Sequence, residues 1–374
     1  MDLKQEEISV LADELKRILQ TVNSSEKVPA GIYPQPVFNF ESSKFEIFNS
    51  YLRNNNNVEA AKIIAQLRIE EPDNLIYLMN EGYNFIKIGE PQKAHDNFLR
   101  IMKSKCPVDM VYPAISNYMM SCDYLNIPLV DRYNIQQFYP KPTTDKPIIV
   151  NNGKINIGYV LADAYSHPVG RVMLNIVKNH NKEKFNVTVF YAGNEFDNLT
   201  KEIMQNVDHF VWIGNIESKP TGMSSKEVYE TIKELKIEVL IDMNGHTNGG
   251  YRLPLFCKRP CFLQGTMIGY PNSTLLDCFD FRMLSDYSYF YATSDYNFWT
   301  EPIFHNAYGY MPYAKSFDVD IKRNKDQNIF VLGYLGNISK LTKEDIWHHI
   351  GVLCRMRRER NTVVLYARLG THYT

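Results

Sequence analysis

Between residue 154 and about residue 312, short apolar runs alternate with stretches of helical spacing. Strands are predicted at 155–161, 187–192, 209–213, 238–243, 262–268 and 279–284, from β-branched and aromatic runs bounded by polar or glycine turns. Helices are predicted at 169–179, 199–206 and 225–236, where apolar positions recur three and four residues apart. Strands alternating with helices build a parallel, doubly wound, Rossmann-like sheet with right-handed crossovers. Such sheets hold ligands beyond the carboxyl ends of their strands. The loops at that edge are therefore where chemistry is to be sought.

Upstream the period is helical throughout. Residues 4–22 carry Ile8, Leu11, Leu15, Ile18, Leu19 and Val22 on one face, a packing or partner helix, and a Pro- and Ser-marked linker follows to residue 42. From 44 to about 125 a pattern repeats. VEAAKIIAQLRIEEPDN, from Val58, recurs as PQKAHDNFLRIMKSKCPVD, from Pro91, and Ala60 and Ala94 lie 34 residues apart. That is the period of tetratricopeptide helix pairs, with an ordinary helical hairpin domain as the simpler reading. Downstream, a charged linker at 318–327 precedes a strand at 329–334, a helix from about Thr342 and a strand at 362–370. The chain thus divides into 1–42, a tetratricopeptide-like region at 43–150, an α/β lobe at 151–317 and the start of a second lobe at 318–374. The aromatic stretch from Tyr287 to Ala314 lacks a helical period and reads as cover packed on the lobe, with sugar or peptide stacking as the alternative.

Composition narrows the classes. The net charge of −1 gives no electrostatic reason to expect nucleic acid or an anionic membrane as partner. No apolar run reaches the eighteen or so residues of a membrane span, and the start MDLKQEEISV lacks a secretory layout. A cytoplasmic or nuclear location is expected. The six cysteines are scattered, and the Cys257–Cys261 pair has no second ligand pair at zinc spacing, so buried free thiols and no metal site are expected. The Arg355, Arg357, Arg358 and Arg360 cluster reads as a solvated helix end.

Three strands run into polar, glycine or His-bearing loops. INIGYVLADAYSHP places Ser166, His167 and Pro168 at a strand-to-helix junction, with Pro168 suited to the first helical turn. An imidazole there can take a proton or steady an anion, or it can be an exposed loop histidine. EVLIDM runs into Asn244, Gly245, His246, Thr247 and the Gly249-Gly250 pair. FLQGTMI runs into Gly269, Tyr270, Pro271 and Asn272.

The ordered set IGYV…D…HP, DxNGHT, RLPLFCKRPCFLQGTMIGYP and the Asp280–Asp286 segment resembles the amino-terminal catalytic lobe of the O-GlcNAc transferase family, with its SPINDLY-type and bacterial relatives, over roughly residues 154–312. The resemblance implies a GT-B-type protein glycosyltransferase that moves a sugar, GlcNAc first among the choices, from a nucleotide sugar such as UDP-GlcNAc to protein Ser or Thr, with inversion and neither metal nor cofactor. It assigns His167 to the acceptor side as base or positioning group. Pro168, Asn244, Gly245, His246 and Thr247 would shape the acceptor or sugar pocket, and Gly269, Tyr270 and Pro271 the lobe-edge turn. Lys340, in the loop after the 329–334 strand, would face the donor diphosphate, with Asn337 nearby. Residues 318–374 would be the beginning of the nucleotide-binding lobe, and the Gly-His-Thr-Thr-Gly-like helix start of the family does not follow Lys340. Expected partners are a protein or peptide acceptor, the nucleotide sugar and a chain completing the second lobe. The alternatives are a non-catalytic tetratricopeptide interaction protein and one subunit of a split transferase. Three positions depart from the family pattern: Arg171, Asn272 and Tyr313.

Overall fold

The computed structural model describes residues 43–147, 153–214, 222–285, 300–306, 329–336, 343–359 and 362–369. The expected helix at 4–22, the linker at 318–327, Asn337 and Lys340 lie outside them. The chain forms two compact units, one of His95–Val319 and one of Met1–Ala94 with Asp320–Thr374.

Among the described residues the second of these units opens with three helices, α1 (Lys44–Arg53), α2 (Asn57–Glu70) and α3 (Leu75–Lys87). Each has a polar residue at its N-cap. Ser43 and Glu46 exchange bonds in a capping box, Asn56 accepts from the Glu59 N–H, and Asn74 accepts from the N–H groups of Ile76 and Tyr77. Phe48, Ala60, Ile64 and Leu67 form the core between α1 and α2. Buried Asn84 of α3 donates to the Asn57 carbonyl at 3.1 Å. The next helix, α4 (Pro91–Lys103), repeats the pattern of α2, with Ala94, Phe98 and Ile101 buried as Ala60, Ile64 and Leu67 are. The 34-residue spacing therefore marks equivalent buried positions.

The His95–Val319 unit carries α5 (Val108–Tyr124) and a seven-stranded, all-parallel sheet. In chain order its elements are β1 (Ile155–Leu161), α6 (Pro168–Asn179), β2 (Phe185–Tyr191), α7 (Asn198–Gln205), β3 (His209–Trp212), α8 (Ser225–Glu234), β4 (Val239–Asp242), α9 (Leu253–Cys257), β5 (Leu263–Thr266), β6 (Phe281–Ser285) and β7 (Ile303–Asn306). The strand order is β3-β2-β1-β4-β5-β6-β7. From β1 the chain moves outward through β2 and β3, then returns to β1's other side with β4, so the topological switch lies between β1 and β4. Ile157, Tyr159, Leu161, Val172, Met173 and Val189 tie β1, α6 and β2 into one core. This is a GT-B-type α/β lobe preceded by an all-helical, tetratricopeptide-like region.

Two elements escaped the pattern reading. Strand β7 falls inside the aromatic stretch taken as irregular cover, because only four residues pair, parallel to β6. The short α9 contains Pro254, which reads as a breaker but occupies the first turn, where its missing N–H costs nothing. Beyond residue 319, β8 (Ile329–Gly336) and β9 (Thr362–Leu369) pair in parallel, and α10 (Lys343–Glu359) lies between them in sequence, as expected. Among the described residues no helix is long and apolar enough to cross a membrane, and no group of three His, Cys, Asp or Glu converges as metal ligands would. All six cysteines are free, five of them buried. Arg355 is exposed.

Candidate functional site at the carboxyl edge of the sheet

The loop after β1 is built on its own backbone. His167 is the N-cap residue of α6, its Nδ1 accepting from the Val169 N–H at 3.3 Å, and Pro168 opens the first turn as its fixed φ favours. The His167 side chain is 34% exposed, so the ring stays reachable. The Ser166 N–H donates to Oδ2 of Asp197 at 2.7 Å, while Oδ1 of Asp197 caps α7 through the Thr200 N–H. These hydrogen bonds hold the Asp197 carboxyl below the usual carboxylate range despite the opposing, and individually largest, effect of burial. Gly170 is required by close approach. A Cβ there would lie 2.2 Å from the Tyr165 carbonyl oxygen and 2.6 Å from that of Asp163. Backbone cannot yield as a side-chain tip does, so Gly170→Ala is expected to destabilise the unit by about 1–3 kcal/mol. Urea denaturation of the variant against wild type measures it; an unchanged midpoint would mean the loop is not seated on the helix.

The loop after β4 is pinned by Asp242, which is fully buried. Its carboxylate accepts from the Gly245 N–H at 2.6 Å and the Asn244 N–H at 3.2 Å. Burial pushes its pKa up to about 6 against those bonds. Asn244 then reaches across the switch point, its Oδ1 accepting from the Ala162 N–H at 2.8 Å. Thr247 turns inward, its hydroxyl donating to the Asn244 carbonyl at 2.6 Å. Gly269, at φ +102, allows the next loop to lie on β4's end, where a Cβ would meet the Met243 carbonyl oxygen at 2.2 Å. The loops after β1, β4 and β5 are thus joined at one edge, as the sequence predicts. Between them a cleft is lined by Ala162, Ala192, Asp242, Asn244, Thr247 and Arg252, with about 20 Å³ of free volume. That admits one or two waters and no sugar nucleotide.

His246 lies at the heart of this edge as a packed residue. It is 1% exposed, and Nε2 lies 2.8 Å from the Thr274 carbonyl oxygen, which can only accept. Nε2 therefore carries the proton, and Nδ1 accepts from the Ser116 hydroxyl of α5 at 3.2 Å. The ring stands edge-on to Tyr270, with centroids 5.1 Å apart. Burial lowers its pKa to about 4. Tyr270 is equally buried and acts as a joint. Its hydroxyl accepts from Nη1 of Arg132 at 3.3 Å, while Nη2 of Arg132 donates to Asp123 at 2.7 Å. Its carbonyl accepts from buried Arg282. Pro271 follows it as an exposed residue. Asn272 does not take the left-handed backbone that its place at a glycine position suggests. It donates to Asp123 at 3.0 Å and accepts from the Ser273 N–H at 2.8 Å, and positive φ falls on Gly269 and Leu275. Glu301 closes the turn, accepting from the Ser273 hydroxyl at 2.6 Å and the Thr274 N–H at 2.7 Å.

The remaining motif residues brace the sheet. Arg259 and Lys146 both pair with Asp280, at 2.5 and 2.9 Å, and Asp280 accepts from the Gln264 N–H. Asp163, Asp197, Asp242 and the Asp123–Arg132 pair were missed as site-forming groups. Only Asp163 and Asp242 stood inside quoted motifs. The others meet the site from distant sequence positions, which no local pattern records.

Comparison with known proteins agrees with this architecture. The model of glycosyl transferase family 41 matches residues 110–296. A "Probable UDP-N-acetylglucosamine--peptide N-acetylglucosaminyltransferase SPINDLY" of Arabidopsis thaliana is 26% identical over 176 residues, 45% of this chain and 19% of that protein. The "SEC" protein of the same plant, given the same activity in its name, is 31% identical over 137 residues, 36% of this chain and 13% of its own. A Caenorhabditis elegans UDP-N-acetylglucosamine--peptide N-acetylglucosaminyltransferase is 28% identical over 147 residues, 38% and 12% of the two chains. The chain thus spans less than a fifth of these relatives' lengths. A mutant O-GlcNAc transferase of Thermobaculum terrenum superposes with a TM-score of 0.70 at 18% identity, over 86% of this chain and 60% of that one, a likeness of fold. With half of its residues matched by the family model, the chain belongs to glycosyl transferase family 41.

Proposed function

We propose that this chain supplies the acceptor-side lobe of a protein O-glycosyltransferase. The sugar, GlcNAc in first place, passes from a nucleotide sugar, UDP-GlcNAc in first place, to a Ser or Thr hydroxyl of a protein. The acceptor oxygen bonds to the anomeric carbon as the bond to the diphosphate breaks, with inversion, and the electron pair leaves with the diphosphate. The reading assigns no metal to the step. Charge grows on the leaving diphosphate, and a fixed ammonium is the group to meet it; Lys340, with Asn337 nearby, takes that role by its place in the family pattern. His167 faces the acceptor as base or orienting group, beside Pro168 at the start of α6. Asn244, Gly245, His246 and Thr247 act as scaffold of the pocket wall, and Gly269, Tyr270 and Pro271 as the lobe-edge turn. The cytoplasm or nucleus is the proposed location.

The observation that carries this reading is the junction of the three loops at the β1/β4 switch point, with a reachable histidine at a helix start. Calorimetric titration of the chain with UDP, UDP-GlcNAc and GDP-fucose tests it. Saturable binding of one nucleotide is expected, weakened at least about tenfold by Lys340→Ala, because a charged hydrogen bond contributes roughly 1.5–3 kcal/mol. No binding of any of the three to a folded sample would overturn a donor site in this chain and favour an interaction protein.

A further inference from the structure

Nδ1 of His167 has two claimants. The Val169 N–H reaches it at 3.3 Å, and Oδ2 of Asp163, four residues earlier, lies 3.8 Å away. The two demand opposite protonation. An N–H donor requires a bare Nδ1, which puts the proton of a neutral ring on Nε2. A carboxylate requires Nδ1–H, which leaves Nε2 bare. Only the second form has a lone pair on the nitrogen that faces away from the helix.

The surroundings favour Asp163. Its side chain is 16% exposed, against 34% for His167, and burial raises its pKa while His167 pulls it back down. The Tyr165 hydroxyl bonds to the same carboxyl, and the Tyr165 ring leans on the imidazole with centroids 5.6 Å apart. The other charged groups near this loop are Asp197, Arg171 and Glu195, the last acting on Tyr165. Asp197 holds the Ser166 N–H, and Arg171 donates to the Ser166 hydroxyl at 3.2 Å. Asp163 is also fixed in place, since its carbonyl lies against Gly170 of α6. A hydrogen bond to a carboxylate is roughly twice as strong as one between neutral groups, so a small rotation of either side chain exchanges the long cap bond for the stronger one.

We infer that Asp163 is a positioning residue for His167, drawing the imidazole proton to Nδ1 and leaving Nε2 free to accept the proton of an attacking hydroxyl. In that step the hydroxyl O–H bond breaks, its proton bonds to Nε2, and its oxygen keeps the electron pair that forms the new bond to carbon. Asp163 stays ionised and steadies the imidazolium through Nδ1–H. The catalytic part of this inference rests on the transferase reading above; the arrangement of the proton does not.

The test therefore reads the proton and not turnover. Nitrogen-15 NMR of histidine-labelled chain, with the His167 signals assigned by His167→Gln, shows which ring nitrogen carries the proton in the neutral form. The expected result is Nδ1–H in the wild type, Nε2–H in Asp163→Asn, and Nδ1–H again in Asp163→Glu. An Nε2–H ring in the wild type would overturn the inference outright, even if Asp163→Asn fails to fold. The same tautomer in wild type and Asp163→Asn would overturn it as well. If the NMR holds and no nucleotide binds, the transferase reading fails while the Asp163–His167 pairing stands.

Discussion

Between pH 6.5 and about pH 4, the wild-type chain is expected to lose on the order of 3 kcal/mol of stability relative to His246→Gln. The folded protein holds His246 neutral, with a pKa lowered from 6.5 to about 4 by burial, whereas the unfolded chain protonates it freely. A depressed folded pKa gives a contribution complete above pH 6.5 and lost as pH falls toward 4. Asp242 acts with the opposite sign. Its pKa is raised from 3.8 to about 6, so its contribution is complete below pH 3.8 and lost as pH rises toward 6. The two nearly cancel in the wild type from pH 4 to 6. Removing His246 should expose the Asp242 slope, and stability of the variant should rise as pH falls through that window. Urea midpoints at half-unit pH steps decide it. Parallel pH curves for wild type and variant would mean that His246 takes up its proton in the folded protein as in the unfolded chain, and that the ring is not held neutral with Nδ1 accepting from Ser116.

Arg132→Ala is expected to destabilise the unit by about 3 kcal/mol, the order found when one member of a buried ion pair is removed. The guanidinium is 2% exposed and serves the Asp123 carboxylate, the Tyr270 hydroxyl and the Ile127 carbonyl. Its loss leaves Asp123, 24% exposed, with neutral partners in Asn272 and the Tyr270 hydroxyl. Adding Asp123→Asn should restore part of the loss, because no uncompensated charge remains. Equal effects of the single and double variants in a denaturation series would show that the arginine acts through packing alone. The pair also steadies the edge of the sheet, because Tyr270 sets the loop after β5 against His246 and Gly245.

The strands and helices of the lobe were legible because each carries its own period. The predicted 155–161 strand is β1 to the residue, and Pro168 begins α6 as its chemistry requires. The gathering of three loops at one edge followed from parallel topology alone. What could not be read is which polar loop residues face solvent. His246 stands in a glycine-rich polar loop that looks like a pocket lining, yet it is sealed by Ser116, 130 residues earlier, and Thr274. Burial of that kind is decided by tertiary contacts that leave no local mark. The Asn54–Asn57 run serves the turn between α1 and α2, where Asn55 holds φ +54 and Asn56 caps α2. The four residues of β7 are too few to show a period.

The central claim is that this lobe presents an acceptor hydroxyl to a nucleotide sugar beside His167. Mass spectrometry of a Ser- and Thr-bearing peptide, incubated with the chain saturated by the nucleotide sugar it binds, tests that most directly. Addition of one sugar to a hydroxyl, lost with His167→Ala while nucleotide binding persists, is the predicted result. An unmodified peptide in the presence of saturating donor, or transfer undiminished in His167→Ala, would contradict it.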